Sequence, residues 1–239
     1  LLIIVVLNCG RLKVRNIETN EYTAQPLKKE HQYNTESLLY TEKYLYESTG
    51  EDDEVKLAVY DSKTKKAVQD KIKKSSNKES DSKGLALCNN KLYQFRSESN
   101  NHQTLNYLYM YKYPETEDEK HIAYKEMKEV YGLAKKDDNT LIASDGENNS
   151  LYYLDCKNNL KVMKKVDINV ESGIGGFTGL AYHDNHVYAA KLNNSYVIYK
   201  INLSTHKVVK QYDMKPIQAN EKKEGSLVKP LCFLTSITH

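Results

Sequence analysis

The sequence predicts an all-β fold, a β-propeller in which one unit of about four short strands is repeated along the chain. The phrase Gly-Leu-Ala begins at Gly84, at Gly132 and at Gly179, so that its copies are 48 and 47 residues apart. Each copy is followed by a polar turn rich in Asn and Asp and then by a short apolar strand, which is the pattern of a β-hairpin. Repeats of roughly 40–50 residues with several strands are typical of propeller blades.

The second half of each unit supports the same interpretation. An alternating apolar strand runs into a corner of Asp or Asn with Thr or Asn close behind, which forms a β-turn, and another strand follows. This pattern occurs at 57–65, 151–159 and 197–205. A β-sandwich is the alternative, but it does not explain the fixed spacing, and no sustained helical periodicity competes with the strands.

The repeat spacing defines the blades and the domain. Full units are predicted at 37–83, 84–131, 132–178 and 179–225, and a partial unit at 226–239. A propeller has to close its ring because open sheet edges promote aggregation, and four blades close only with difficulty. We therefore predict a five-bladed β-propeller domain over 33–239, with about four blades present plus a stub, in a chain that is truncated at its ends.

Residues 1–32 are predicted to be a truncated signal or anchor followed by a polar lead-in. The run from Leu1 to Leu7 is apolar but far shorter than the roughly 20 residues that span a bilayer, and it is typical of the end of a secretory hydrophobic region. A buried first strand is the alternative. Glycosylation sequons compatible with export begin at Asn148, Asn193 and Asn202. The expected location is the secretory pathway, either extracellular or membrane-anchored on the lumenal side.

Composition excludes several classes of protein. The formal charge is +3, from 35 Lys and Arg against 32 Asp and Glu, which is too weak a field to indicate a nucleic-acid partner. The mean hydropathy of −0.72 excludes an integral membrane domain beyond an N-terminal anchor. The chain has 20 Tyr, 3 Phe and no Trp, so that Tyr has to supply most of the aromatic bulk of the core. The stretch 73–83 has no apolar residue and is interpreted as a solvated loop.

The cysteines and histidines do not indicate a metal or another cofactor. The Cys residues lie far apart, at Cys9, Cys88, Cys156 and Cys232, so that no zinc-ribbon spacing occurs. Buried free thiols are the expected state of Cys88 and Cys156, with a structural disulfide left open for an exported chain. We therefore expect no cofactor and no metal.

One motif resembles a known enzyme family. Residues 46–50 read Tyr-Glu-Ser-Thr-Gly, which is similar to the Phe/Tyr-Glu-Ser-Thr-Gly signature of the plant/bacterial-type glutamine cyclotransferases, also called glutaminyl-peptide cyclotransferases. Further similar phrases keep their order over about 33–213, at 84–86, 131–134, 144–146 and 180–182. The resemblance implies a five-bladed propeller that converts the N-terminal Gln of peptides and proteins to pyroglutamate and releases ammonia.

The resemblance also implies a set of site residues. Glu47 matches the family's acid/base, which would take a proton from the attacking amine and return it to the leaving nitrogen. A surface carboxylate at a strand end is the alternative interpretation of Glu47. Thr178 and Lys191 are candidate donors to the oxyanion, Tyr131 and Phe177 candidate pocket walls, and Glu36 a candidate substrate contact. Asp145 is interpreted as a turn former rather than a catalyst.

Several positions differ from the family pattern and leave a second function open. Glu36 stands where the family has Gln, Tyr131 where it has Trp, and Phe177-Thr178 where it has Leu-Asn. The expected partner is a peptide or protein with an N-terminal Gln. The alternative is a catalytically impaired propeller that acts as a scaffold for binding peptides or proteins, since a fold alone does not determine function.

Overall fold

The structure of the protein is a computed structural model, and it consists of β-strands with almost no helix. It describes residues 2–8, 11–16, 22–26, 35–50, 54–75, 80–100, 103–170, 175–191, 197–213 and 233–236, with backbone only in the first three ranges and the last. A single turn of 3₁₀ helix at Gln69–Lys71 is the one helical element in these ranges. None of the described helical structure is long and apolar enough to cross a membrane.

The strands of the first half of the chain form three groups. The N-terminal group consists of β1 (Leu2–Asn8), β2 (Arg11–Asn16) and β3 (Tyr22–Pro26). Blade I consists of β4 (Thr35–Tyr40), β5 (Tyr44–Thr49), β6 (Val55–Asp61) and β7 (Lys73–Lys74). Blade II consists of β8 (Ser80–Cys88), β9 (Lys91–Asn100), β10 (Gln103–Lys112) and β11 (Glu117–Ala123).

The second half of the chain repeats this organisation. Blade III consists of β12 (Leu133–Asp137), β13 (Thr140–Ala143), β14 (Ser150–Asp155) and β15 (Lys161–Asp167). Blade IV consists of β16 (Phe177–His183), β17 (His186–Lys191), β18 (Val197–Asn202) and β19 (Lys207–Asp213). A last strand, β20 (Phe233–Ser236), follows.

Blades I to IV form a propeller arrangement. In each blade the four strands follow one another in sequence order and pair antiparallel. The first strand of each blade is the inner one, and β4 contacts β8, β8 contacts β12 and β12 contacts β16. The predicted all-β propeller arrangement is therefore confirmed over the described residues for these four blades.

The N-terminal strands and β20 form a further four-stranded sheet in the order β20-β1-β2-β3, here called the terminal sheet. Strand β1 pairs antiparallel with both β2 and β20, and β20 also contacts the inner strands β16 and β4. Part of the 1–32 segment, expected from the sequence to be a lead-in, thus contributes three strands. The β-branched run at 3–6 favours a strand.

Tight hairpins connect the inner strands to their neighbours, as the Asn and Asp turns predict. Asn89 and Asn90 have φ of 48° and 57°, and Asp184 and Asn185 have φ of 45° and 55°. Two successive residues with positive φ match the type I′ turn, whose twist suits a two-residue hairpin. The first hairpin of blade II and that of blade IV therefore have the same type of turn.

The core lies between the blades. One cluster packs blade I against blade II, a second packs blade II against blade III, and a third packs blade III against blade IV. Many of the largest fully buried side chains are tyrosines, namely Tyr46, Tyr60, Tyr93, Tyr111 and Tyr188. The expectation that Tyr supplies the aromatic bulk is confirmed for the described residues.

A disulfide joins two blades. Cys88 at the end of β8 and Cys156 just after β14 are bonded, with their Cα atoms 6.2 Å apart and a sequence separation of 68. The expectation of free thiols at these positions is wrong, because adjacent blades bring the two strand ends within the range that a disulfide needs. Cys9 and Cys232 lie outside the described residues.

Part of the predicted solvated loop is also strand. Lys73–Lys74 forms β7, and β8 begins at Ser80, so that Lys83 lies inside the sheet. The side chain of Lys83 is only 15% exposed. The start of β8 lies at the end of the propeller where the inner strands begin, and its side chains there are polar. The sequence therefore read as a loop although it forms a strand.

Candidate functional site

The inner strands begin at one end of the propeller, here called the mouth, and four repeat-equivalent residues lie there. They are the residues that directly precede the Gly-Leu or Ser-Leu phrase of each blade: Glu36, Lys83, Tyr131 and Thr178. In blades I, II and IV the strand register shifts at this position. A bulge of this kind turns a side chain away from the regular face of the sheet. The repeat therefore presents a set of variable side chains at the mouth.

Lys83 brings two of the predicted site residues together. Its Nζ lies 2.5 Å from Asp81 Oδ2 and 3.8 Å from Glu36 Oε2 of the preceding blade, and 4.7 Å from the centre of the Tyr131 ring of the following blade. Burial lowers the pKa of the Lys83 ammonium, but the carboxylates of Asp81 and Glu36 outweigh it and the pKa lies above its usual value. Lys83 is thus a charged bridge between three blades.

A glycine allows the ring of Tyr131 to lie close to the backbone. The backbone of Gly146 has φ of +72°, and a Cβ atom there would lie 2.5 Å from the Tyr131 ring. Burial raises the pKa of the Tyr131 hydroxyl. The Ser-Asp-Gly phrase is therefore needed for the close approach of this aromatic ring to the backbone.

Asp145 forms the adjoining turn, as the sequence predicts. Its Oδ1 accepts from the backbone N–H groups of Glu147 and Asn148, at 3.1 and 2.8 Å. Its Oδ2 accepts from Asn148 Nδ2 and from the Tyr152 hydroxyl, at 2.9 and 2.7 Å. Burial raises the pKa of the Asp145 carboxyl, but these hydrogen bonds outweigh burial, and the pKa lies below its usual value.

Glu47 lies in β5 and is completely buried. The Thr35 hydroxyl donates a hydrogen bond to Oε1, and the Tyr60 hydroxyl donates one to Oε2 at 3.0 Å. The interpretation of Glu47 as a surface carboxylate is therefore wrong. A buried carboxylate can serve as a base and then as an acid, since a proton added to it can be passed on within the same site.

Blade II contains a copy of this arrangement in which Gln94 replaces Glu47. The hydroxyl of Tyr111 lies 3.2 Å from Gln94 Oε1, as the hydroxyl of Tyr60 lies close to Glu47 Oε2. The strand registers prove the equivalence, since Glu47 and Tyr60 lie opposite Leu38 and Leu45, and Gln94 and Tyr111 lie opposite Leu85 and Leu92. Sequence reasoning missed Gln94, although it lies one repeat after Glu47.

Gln94 ties blade II to the strands that hold Glu47. Its Nε2 donates to Ser48 Oγ at 3.0 Å and to the Lys56 carbonyl at 2.7 Å. Its Oε1 accepts from Arg96 Nε at 2.9 Å and from the Tyr111 hydroxyl. All four hydrogen-bonding positions of the carboxamide are used, so that Gln94 stabilises the interface between blades I and II beside the carboxylate.

Arg96 completes this buried layer. It is 3% exposed, its Nη2 donates to the Tyr111 hydroxyl at 2.6 Å, and its guanidinium lies 3.8 Å above the Tyr109 ring. Ser82 lies opposite Arg96 in the register, and among the described residues its buried hydroxyl has no hydrogen-bond partner. Sequence reasoning did not identify Arg96 as a residue beside the site.

The remaining candidates lie in blade IV and are not all at the mouth surface. Phe177 is fully buried and packs in the core, with its ring 6.1 Å from that of Tyr199. Its position at the start of β16 directs the ring between the blades, and its role as a pocket wall stays a prediction. Thr178 is half-buried and its hydroxyl donates to the Ala190 carbonyl at 3.4 Å.

Lys191 lies opposite Phe177 at the end of β17 and is 2% exposed. Burial lowers the pKa of its ammonium group. The structure therefore brings together Glu36, Lys83 and Tyr131 on one side and Phe177 and Lys191 on another. Within the described ranges, no three His, Cys, Asp or Glu side chains are grouped in a way that could hold a metal ion.

Comparison with solved structures supports the fold. A protein of unknown function from Bacteroides caccae superposes with a TM-score of 0.56 at 10% identity, covering 100% of this chain and 99% of that one. A luciferin-regenerating enzyme superposes with a TM-score of 0.53 at 11% identity, covering 85% of this chain and 69% of that one. At such identities the likeness concerns the fold alone.

Sequence comparison assigns the family. None of the curated proteins matches this chain significantly. A family model described as glutamine cyclotransferase matches residues 8–229, which is nearly the whole chain. With this match, and with a propeller that buries a carboxylate in the Glu-Ser-Thr-Gly stretch, the chain belongs to the glutamine cyclotransferase family.

Proposed function

We propose that the protein is a glutaminyl-peptide cyclotransferase that converts the N-terminal Gln of peptides or proteins to pyroglutamate. The observation that carries the proposal is Glu47, which stands at the family's acid/base position and is buried, with a hydroxyl donor on each carboxylate oxygen. This arrangement suits a group that has to be ionised at one step and protonated at the next.

The reaction needs one proton carrier and no water. The α-amine of the substrate attacks the side-chain amide carbon of the same residue, and a new C–N bond forms. Glu47 takes a proton from the attacking nitrogen and returns one to the amide nitrogen, after which the old C–N bond breaks and ammonia leaves. Because both reacting groups belong to one residue, the enzyme gains mostly by holding the bent conformer.

We also infer that the terminal sheet acts as the fifth blade of the ring. Its strand β20 contacts the inner strands of both blade I and blade IV, and its pairing with β1 joins the two ends of the chain. A sheet at this position gives blades IV and I a neighbouring blade on the side where they would otherwise have none.

The same proposal extends to the compartment. The Cys88–Cys156 disulfide supports an oxidising environment such as the secretory pathway. Both described sequon asparagines, Asn148 and Asn202, lie in polar corners at strand ends. We propose export, with a peptide or protein carrying N-terminal Gln as substrate.

A second candidate function is a peptide-binding propeller without catalysis. It is favoured by the blade IV residues, since Phe177 packs in the core and the Thr178 hydroxyl is used by the Ala190 carbonyl. Two residues that the resemblance assigns to the substrate pocket are thereby engaged elsewhere.

Ammonia release from a peptide with N-terminal Gln separates the two candidates. A cyclotransferase releases ammonia from the Gln peptide but not from the same peptide with N-terminal Glu, and Glu47→Gln abolishes the release. The matched control is Glu98→Gln, because Glu98 in blade II also accepts a tyrosine hydrogen bond, from Tyr109 at 2.7 Å. Binding of the Gln peptide without ammonia release would favour the scaffold.

A further inference from the structure

We propose that Tyr60 is a positioning residue that fixes the Glu47 carboxylate for proton transfer, an inference that rests on the proposed function. The phenol is fully buried, and its hydroxyl donates to Glu47 Oε2 at 3.0 Å while Thr35 donates to Oε1. With donors on both oxygens, the carboxylate cannot rotate about its last bond without breaking a hydrogen bond. Its remaining lone pairs therefore keep a fixed direction.

Tyr60 is placed for this role by the third strand of the blade. It lies in β6 opposite Leu45, two positions along from the residue that pairs with Glu47. Since side chains two residues apart on a strand share a face, Tyr60 lies on the same face of the sheet as Glu47. The family signature covers 46–50 and does not include this residue, so that the sequence motif alone does not identify it.

Blade II shows what the same tyrosine does without a carboxylate. Tyr111 occupies the equivalent position, and its hydroxyl lies 3.2 Å from Gln94 Oε1 while it accepts from Arg96 Nη2. There the Tyr111–Gln94 pair is itself uncharged, and both of its members accept hydrogen bonds from the Arg96 guanidinium. Both blades therefore have a tyrosine hydrogen-bonded to the equivalent side chain on the second strand. In blade I that side chain is a carboxylate, and in blade II it is a carboxamide.

Other charged groups lie on the strands beside Glu47, and their contacts define the local electrostatics. Glu36 on β4 lies 3.8 Å from Lys83. Lys56 on β6 donates to the carbonyls of Gly50 and Ser80, at 3.4 and 2.5 Å. Side chains of the terminal sheet lie outside the described residues. A hydroxyl that donates to an ionised carboxylate favours the charged form, so that Tyr60 keeps Glu47 available as a base at lower pH.

The experiment compares Tyr60→Phe with Tyr111→Phe in the full chain. Each variant removes one buried hydroxyl from an equivalent position, and kcat/KM is measured from about pH 4 to about pH 9 with a Gln dipeptide amide. We expect Tyr60→Phe to move the carboxyl break of the profile up by about one pH unit. The break from the substrate amine, near about 8, stays in place as an internal reference. Tyr111→Phe leaves both breaks unchanged.

A second variant covers the case in which Tyr60→Phe does not fold. Replacing Tyr60 by 3-fluorotyrosine keeps the ring and makes the hydroxyl a stronger donor, so that the carboxyl break moves to lower pH. Equal losses of Tm in both phenylalanine variants, with unmoved breaks in every variant, would show that Tyr60 only packs. No turnover by the unsubstituted chain would overturn the proposed function and this role together. Turnover that Glu47→Gln abolishes, with breaks that no change at Tyr60 moves, would overturn the positioning role alone.

Discussion

Lys83 Nζ lies 4.7 Å above the ring of Tyr131, the residue that occupies the same repeat position in the next blade. The two are 48 residues apart in sequence, yet the propeller makes them neighbours because each inner strand begins beside the next one. Because this one repeat position is occupied by Glu36, Lys83 and Tyr131 in successive blades, an acidic, a basic and an aromatic side chain lie next to one another at the mouth.

The first prediction concerns the ion pairs of Lys83. Lys83→Met leaves Asp81 and Glu36 without their ammonium partner in a setting that is 15% to 25% exposed. We expect the free energy of unfolding to fall by about 2 kcal/mol, below the value for a fully buried pair, as measured by urea denaturation. The matched control is Lys128→Met, whose pair with Glu147 has the same 2.5 Å distance but exposed side chains. Equal effects of the two substitutions would contradict this account.

The second prediction concerns Gly146 and Tyr131. Gly146→Ala adds a methyl group against the Tyr131 ring at a backbone φ of +72°. We expect a loss of about 1–3 kcal/mol in unfolding free energy from strain and overlap. In a double-mutant cycle with Tyr131→Ala, part of that loss should disappear because the overlap is relieved. Strict additivity would show that the ring is not what restricts this position.

The third prediction is a pH dependence at Asp145. Its folded-state pKa lies below the usual value, so that its contribution to stability is present above the unfolded pKa of about 3.9 and is lost as pH falls through the folded pKa. Asp145→Asn should lower the free energy of unfolding by about 2 kcal/mol at neutral pH. Urea denaturation at successively lower pH should show the wild type and the variant converging below about pH 4. A difference that stays constant into that range would contradict the role of the carboxylate charge.

The fourth prediction concerns the disulfide. A crosslink that closes a loop of 68 residues should contribute about 4 kcal/mol in the chain-entropy model. Reduction of the wild type should therefore lower its midpoint of urea denaturation, while the Cys88→Ala/Cys156→Ala double variant should start low and not respond to reductant. A double variant as stable as the oxidised wild type would refute the contribution.

Much of the fold was predictable from the sequence because it follows from short-range patterns. The Gly-Leu-Ala spacing and the Asn and Asp turns determine four-stranded units, since turn chemistry and strand alternation are local properties. Glu47 was identified in a different way, from the resemblance of the Glu-Ser-Thr-Gly stretch to a family motif. That Tyr would fill the core followed from the absence of Trp.

Contacts between residues of different blades could be found only from the tertiary structure. The bond between Cys88 and Cys156, the bridging position of Lys83, and the burial of Phe177 each depend on which strand ends come together around the propeller. The equivalence of Tyr60 and Tyr111 also required the strand registers. The sequence by itself determined the repeating unit, because local conformational preferences act within a few residues. Packing between units decided the site, because contacts across about 50 residues of chain form only once the sheets are assembled.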